Sequence, residues 1–343
     1  MGVTIYDIAK EADVSIATVS RVFNESPRVS PATRERVLQI AHGLNYQPHV
    51  SAQSLARQNS HLISAVIPVI ANYFYMEIIR GMQEALLESD YDLLMYAAPK
   101  PEAVGNQLER AAQKGRSEGL LILSTPLSDA RAKRLKTLRR PVVLVDALHP
   151  DFDSISVDNR KGGYMATRHL VDQGFERIAH ITINPEAPPA AERRRGYEEA
   201  LKEAGMKVDR ALIAGGSKKP FGFVEDSGYE AMQTILSRSP RPDSVFVASD
   251  VQALGAMRAL RENGVAMPDD IALVGFDDIQ VSEYVGLTTL RQPTYEMGKL
   301  AVQKLLQRIA DPEHPTTATV FSPALIVRSS SDALKQKAIH SDT

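Results

Sequence analysis

The sequence predicts two kinds of structure in series: an N-terminal all-α helix-turn-helix headpiece, then a two-lobed, doubly wound α/β domain. Three observations predict it. From residue 3 to about residue 46, apolar residues recur at helical spacing and no strand-like run occurs. From about residue 62 onward, β-rich apolar runs alternate with amphipathic stretches, the pattern of a parallel sheet covered by helices. That alternation lasts for roughly 260 residues, more than one doubly wound sheet needs, so two successive lobes are expected.

The elements follow in order. Thr4-Ile5-Tyr6-Asp7 opens the first helix as an N-cap with an acid at the third helical position, and Ile5, Ile8 and Ala9 form its apolar face. Ala12-Asp13-Val14 breaks it. Ser15 caps a second helix over 16–23, with Val19 and Val22 inward. Ser30-Pro31 starts a third, with proline at the first helical position, where its missing N–H costs nothing. Val37, Leu38, Ile40, Ala41 and Leu44 are its expected core side. Strands are expected at 62–67, 92–96, 119–123, 142–145, 177–181, 244–248 and 271–274. Helices are expected at 76–87, 130–138, 161–170, 193–204, 226–236 and 251–261. Strand runs at 154–157 and 288–291 mark the crossings between lobes. The boundaries are thus 1–48 for the headpiece, 49–60 for the joining segment, 61–330 for the lobes and 331–343 for a polar tail.

The composition excludes several classes of function. The chain has 343 residues, with 40 Lys+Arg against 42 Asp+Glu, and no cysteine. Disulfides, thiol catalysis and cysteine-based metal sites are therefore ruled out. No apolar run reaches the ~18 residues of a membrane span, and no secretory pattern opens the chain, so a cytoplasmic protein is expected. No phosphate-cradling glycine loop or zinc-binding His-Glu-x-x-His occurs, and neither a metal nor a cofactor is expected. The net charge of −2 argues against a protein that coats nucleic acid electrostatically. Even the first sixty residues hold only six basic and five acidic side chains.

The second helix nevertheless points to DNA. Its outer side carries Ile16, Ala17, Thr18, Ser20 and Arg21, and an exposed Ile beside a small Ala suits thymine methyls in a major groove. Arg21 can reach a guanine edge, while Thr4, Ser15, Thr18, Ser20 and Asn24 are candidates for phosphate contacts. The pattern alone also fits a small bundle with an ordinary polar surface. Residues 50–57 are too few for a helix stable by itself, so that segment folds only against a partner.

In open α/β sheets, ligands bind beyond the carboxyl ends of the strands. There the sequence places Asn72, Tyr73 and Phe74, then Asp146, Arg193, Phe223, Ser249-Asp250 and Asp277-Asp278. A carboxylate pair, an arginine, an amide and an aromatic ring suit a hydroxyl-rich ligand such as a sugar. Asp250 and Asp278 read equally as caps or turn residues, and His180, on a strand, reads as a core residue.

Val3-Thr4-Ile5-Tyr6-Asp7-Ile8-Ala9, Val14-Ser15-x-Ala17-Thr18-Val19-Ser20-Arg21-Val22-x-Asn24 and Leu44-Asn45-Tyr46-x-Pro48 resemble the lac-repressor/galactose-repressor family of bacterial transcription regulators. Val274-Gly275-Phe276-Asp277-Asp278 and Ala253-Leu254-Gly255-Ala256-Met257 extend the resemblance to about residue 328. It implies a periplasmic-binding-protein-like effector domain and a homodimer, or a higher oligomer, on a pseudo-palindromic operator in double-stranded DNA. It makes Ile16 and Ala17 specificity positions and Arg21 a base reader. It makes 50–57 a hinge helix whose Leu55 wedges into the central base step. Asn72, Phe74, Asp146, Arg193, Phe223 and Asp277 match its effector contacts. Three positions depart from the pattern: His49 and Gln53 stand where Asn and Arg are frequent, and Ser249 replaces a frequent Asn, which argues against a simple hexose. The competing readings are a ligand sensor of the same fold without DNA affinity and a sugar-processing enzyme using Asp146 and Asp277.

Overall fold

In the computed structural model, residues 3–24, 26–46, 60–113, 115–183, 187–215 and 223–332 are described. The expected hinge over 50–57, with Leu55, and the tail from residue 333 lie outside them.

The headpiece is three helices, α1 (Ile5–Glu11), α2 (Ile16–Phe23) and α3 (Pro31–Gly43). Both the N–H and the hydroxyl of Thr4 donate to Asp7 Oδ2, at 2.8 and 2.7 Å, and so fix the first turn. Asp13, at φ 50°, reverses the chain before Ser15, whose Oγ accepts from Thr18 N at 3.1 Å. Ile8, Ala9, Ala12, Val19, Val22, Val37 and Ala41 are buried together. The Arg34 guanidinium donates to the carbonyls of Val22 and Ser26 at 3.3 and 2.7 Å, which ties α3 to the end of α2. The structure corrects one expectation: Leu38 is 45% exposed, because Val37 and Ala41, four residues apart, define the inward face of α3 and Leu38 lies off it.

The first lobe uses β1 (Leu62–Ile67), α4 (Tyr73–Leu87), β2 (Asp92–Ala97), α5 (Pro101–Ala111), β3 (Gly119–Leu123), α6 (Asp129–Thr137), β4 (Val142–Val145) and β5 (Asp153–Val157). The chain then crosses at Asp158. The second lobe uses α7 (Asn159–Asp172), β6 (Ile178–Thr182), α8 (Pro188–Glu203), β7 (Ile213–Gly215), α9 (Glu225–Leu236), β8 (Ser244–Val247), α10 (Asp250–Glu262), β9 (Ala272–Asp277), α11 (Gln280–Tyr284) and β10 (Thr288–Arg291). It returns through Gln292-Pro293 to the first lobe with α12 (Thr294–Ala310) and β11 (Ala318–Phe321), then crosses again to β12 (Ala324–Ile326). The sheet orders are β11-β5-β4-β3-β1-β2 and β12-β10-β9-β8-β6-β7. All neighbours run parallel except β12 against β10.

Both expected crossings are present, and a third joins them. The strands expected from apolar runs are found within a few residues of their places. Short β7, β11 and β12 lack such runs, their burial being incomplete. Helix α12 was not expected either; it packs on α4, β3, β4 and β5 of the first lobe, far from its neighbours in sequence. A buried ion pair, Arg308 Nη2 to Asp153 Oδ2 at 2.6 Å, fastens it to β5. Each sheet has an apolar cluster on both faces.

Three helix pairs cross at reciprocal glycines. A Cβ on Gly81 would lie 2.0 Å from the Tyr295 carbonyl oxygen, and one on Gly298 the same distance from that of Ile78. Gly228 and Gly255 do the same for α9 and α10, and Gly163 and Gly196 for α7 and α8. The backbones meet directly there, so no side chain can enter. One of the carbonyls that Gly163 admits belongs to Arg193.

Candidate functional site

Two candidate sites emerge, one on the headpiece and one between the lobes. On α2, Ser15, Ile16, Ala17 and Arg21 are exposed while Val19 and Val22 face the core. Ile16 is 41% exposed, although burial would favour the opposite. Thr18 is half-buried, and its hydroxyl lies 2.9 Å from Ser15 Oγ. Ser20 accepts from Asn24 Nδ2 at 3.4 Å, which places both at the end of the helix. Thr4 is held by Asp7, yet it stays on the exposed start of α1. Tyr6, 66% exposed on α1, was not singled out from the sequence. A helix pattern treats an aromatic residue there as staple or surface alike.

The second site is built from strand ends. Among the described residues, eight non-glycine residues have positive φ, and four of them end strands: Ser124 after β3, Asp146 after β4, and Asp277 and Asp278 at the end of β9. Such strain collects where a fold holds functional side chains. In the first lobe, Ser124 donates to Asp146 Oδ2 at 2.6 Å, while Asp146 Oδ1 is buried without a partner among the described residues. Burial pushes the Asp146 carboxyl up, against the Ser124 hydrogen bond and the charge of Arg193, which lower it. Tyr75, hydrogen-bonded to Ser124, has its phenol pushed up by burial and by the nearby Asp146 and Asp277 carboxyls. Its ring meets that of Phe74 edge-on, with centroids 5.2 Å apart. Asn72 caps α4, its Oδ1 accepting from Phe74 N at 3.0 Å.

The second lobe supplies Arg193, 4% exposed on α8. Its Nε donates to Asn159 Oδ1 at 2.8 Å and its Nη1 to the Ala248 carbonyl at 2.5 Å. Nη1 also lies 3.9 Å from Asp277 Oδ1. The guanidinium stacks on the Phe276 ring at 3.7 Å and faces Phe223 at 5.7 Å. Gln292 donates to Asp277 Oδ1 at 2.6 Å, and its own Oε1 is buried without a partner. Burial pushes Asp277 up to about 8, opposed by Arg193 and reinforced by Asp250. With Asp146, Asp277 and Asp250 around one guanidinium, the carboxylates outnumber the cation, and desolvation favours a bound proton.

The structure thus brings Asp146, Arg193 and Asp277 into one electrostatic cluster spanning both lobes, with Phe223 beside it and Asn72 and Phe74 at the start of α4. Ser249 is 2% exposed, and its hydroxyl accepts from Gln252 N at 3.3 Å as the cap of α10. Asp250 is structural: it accepts from the hydroxyls of Ser282 and Thr289, both at 2.6 Å. Asp278 pairs with Arg291 and Arg328. His180 is the core residue expected, stacked between Tyr197 and Phe246, and burial pushes it down to about 4. Tyr75, Ser124, Asn159 and Gln292 were missed. Ser124 and Asn159 directly follow strands or their connections and were open to the rule that found Asp146.

Residues 4–49 match the family model of lacI-type bacterial regulatory proteins, and 167–331 match a periplasmic binding protein-like domain. The chain is 35% identical to the ribose operon repressor of Escherichia coli K12, over 95% of this chain and 99% of the relative. It is 33% identical to the transcriptional regulator GalR of the same organism, over 99% of each. The chain belongs to the LacI family. The lac repressor dimer bound to operator and the anti-inducer ONPF superposes with a TM-score of 0.82, at 29% identity over 96% of this chain and 99% of that one. This LacI-family member is accordingly a DNA-binding transcriptional regulator, with α2 as the second helix of its helix-turn-helix. Its named relatives are regulators rather than enzymes. No helix among the described residues is long and apolar enough to cross a membrane.

Proposed function

We propose that this LacI-family regulator is a homodimeric repressor of a pseudo-palindromic operator, controlled by a sugar-like effector held between its lobes. Asp146, Arg193 and Asp277 grip the effector's hydroxyls, Asn72 offers its amide, and Phe74 and Phe223 flank it, with Ser249 beneath as a helix cap. Ile16, Ala17 and Arg21 read base edges; Thr4, Ser15, Thr18, Ser20 and Asn24 position the helix on phosphates. Leu55 wedges the central minor-groove step when two hinges pair, the bend repaying the unstacking with further contacts. The effector changes the lobe arrangement and with it the folding of residues 50–57. A coupling of ~1–3 kcal/mol gives a roughly 5–150-fold change in operator affinity.

The single observation that carries the effector reading is the buried Asp146 Oδ1, which has no hydrogen-bond partner among the described residues, on a carboxyl that feels the charge of Arg193 from the other lobe. A buried acceptor without a partner is costly unless a ligand supplies the donor. The test is a thermal-shift screen of neutral sugars, sugar phosphates and nucleosides, followed by operator binding with each hit. A hit that raises the melting midpoint and changes DNA affinity is expected. A screen in which every stabilising ligand leaves DNA affinity unchanged, or Arg193→Ala keeps the full shift, sinks the site. Leu55→Ala is expected to reduce DNA bending while leaving effector binding intact.

A further inference from the structure

The acidic balance of the large domain conceals a separation of charge. Residues 100–140 hold ten basic side chains and four acidic ones. The described ones lie at the start of α5, on α5 and α6 and in the turns that follow, and these two helices pack side by side over the same apolar cluster. Both turns reach the amino-terminal edge of the first sheet, where Ile63 pairs with Gly119 and Leu120 with Val142. Arg140 Nη1 donates to the Ser117 carbonyl at 3.0 Å, which joins the two turns into one surface.

Two of the four acids in this stretch are already engaged. Glu109 pairs with Arg134 at 3.0 Å. Glu118 accepts from His61 N and from the Tyr91 hydroxyl, both at 2.7 Å. Arg110 and Arg116, by contrast, make side-chain hydrogen bonds among the described residues only to the neutral Gln107 and Gln113, Arg110 also lying over the Tyr96 ring, and they stay exposed. Arg139, exposed at φ 49°, has no ion-pair partner among the described residues. The surface also has a fixed relation to the rest of the chain. The Glu118 carboxylate, two residues after Arg116, holds the backbone of His61, where the chain arrives from the headpiece.

We propose that Arg110, Arg116, Arg139 and Arg140 form a second DNA-binding surface, on the first lobe, for the phosphate backbone of duplex flanking the operator. Tyr46 and Ser60 are 14 residues apart in sequence, so even a fully extended connection keeps Ser60, beside the His61 that Glu118 holds, within roughly 50 Å of the headpiece. A duplex held by the headpiece is therefore the polyanion always nearest to this surface. The two turns present charge without a groove or base-reading geometry, which suits phosphate contacts that carry affinity and no sequence preference. A near-neutral headpiece gains most from such a supplement.

The experiment uses the full chain and a duplex that this protein selects from random sequence, prepared at roughly 20 base pairs and roughly 60 base pairs around the same site. Arg116→Glu/Arg139→Glu is expected to weaken binding to the long duplex about 10-fold at low salt and to leave the short one within about twofold. The salt slope on the long duplex should fall by about 2. An unchanged melting midpoint shows that the variant is folded. Equal losses on both lengths overturn the proposal, because they place the effect in the headpiece or the hinge. No loss on the long duplex overturns it too, and is the result expected of a docking surface for an acidic protein. Failure of the wild type to select any duplex removes headpiece recognition and this surface together.

Discussion

Helix α2 and the interlobe cluster hold their candidate residues in opposite ways. On α2, Ile16, Ala17 and Arg21 stand exposed over a core made by Val19 and Val22, and the fold does not depend on them. Between the lobes, Arg193 and Asp277 are 4% and 9% exposed, and Arg193 Nε, Arg193 Nη1 and Asp277 Oδ1 are tied to the fold by hydrogen bonds to an amide, a backbone carbonyl and Gln292. The difference shows that specificity for DNA can change without rebuilding the protein. A change of effector must keep a buried charge cluster satisfied at the same time.

Substitutions sharpen that contrast, beginning with the largest effect. Arg193→Ala strands Asp277 and Asp146 in a low-dielectric interior and frees the Ala248 carbonyl. It should cost ~3–5 kcal/mol of stability, measured by denaturant unfolding. A loss below 1 kcal/mol would mean that water reaches the cluster freely. Asp277 itself should make stability fall as pH rises. Its carboxyl titrates at about 8 in the fold and near its ordinary 3.8 when unfolded, so the folded state retains a proton that the unfolded state releases between those values. Melting midpoints measured from pH 5 to pH 8 should decline, and Asp277→Asn should flatten the decline; an unchanged slope would assign it elsewhere. Arg21→Ala should leave the melting midpoint unaltered and cost ~1–3 kcal/mol of discrimination at one operator position. Uniform loss on all sequences would make Arg21 a phosphate contact. Ser15→Ala removes the cap of α2 and should cost ~1 kcal/mol, visible as headpiece fraying by hydrogen exchange.

Much of this architecture was legible in the chain because burial on both faces writes long apolar runs, as in β1, β3 and β4. Edge strands such as β7 and β11 are half-exposed and leave no such trace. Helix α12 was illegible for another reason: its partners lie some 150–220 residues earlier, and only the fold brings them together. The strand-end rule located Asp146 and Asp277 directly. It passed over Ser124, because a lone serine after a strand reads as a turn until Asp146 is found beside it. Tyr75 was hidden by its neighbours Tyr73 and Phe74, since aromatic identity says nothing about which ring turns inward. On α3, helical spacing put Leu38 in the core, yet Val37 and Ala41 take that face.

The three crossings have a consequence for the order in which the protein is made. The first lobe comes to its full complement only with α12 and β11, which leave a ribosome after nearly all of the second lobe. The second lobe, by contrast, lacks only β12 once β10 has emerged. The headpiece can fold as soon as its own three helices are out, but the body meant to govern it stays open until α12 and β11 have emerged. A chain cut before α12 would therefore carry a finished headpiece on an unfinished first lobe.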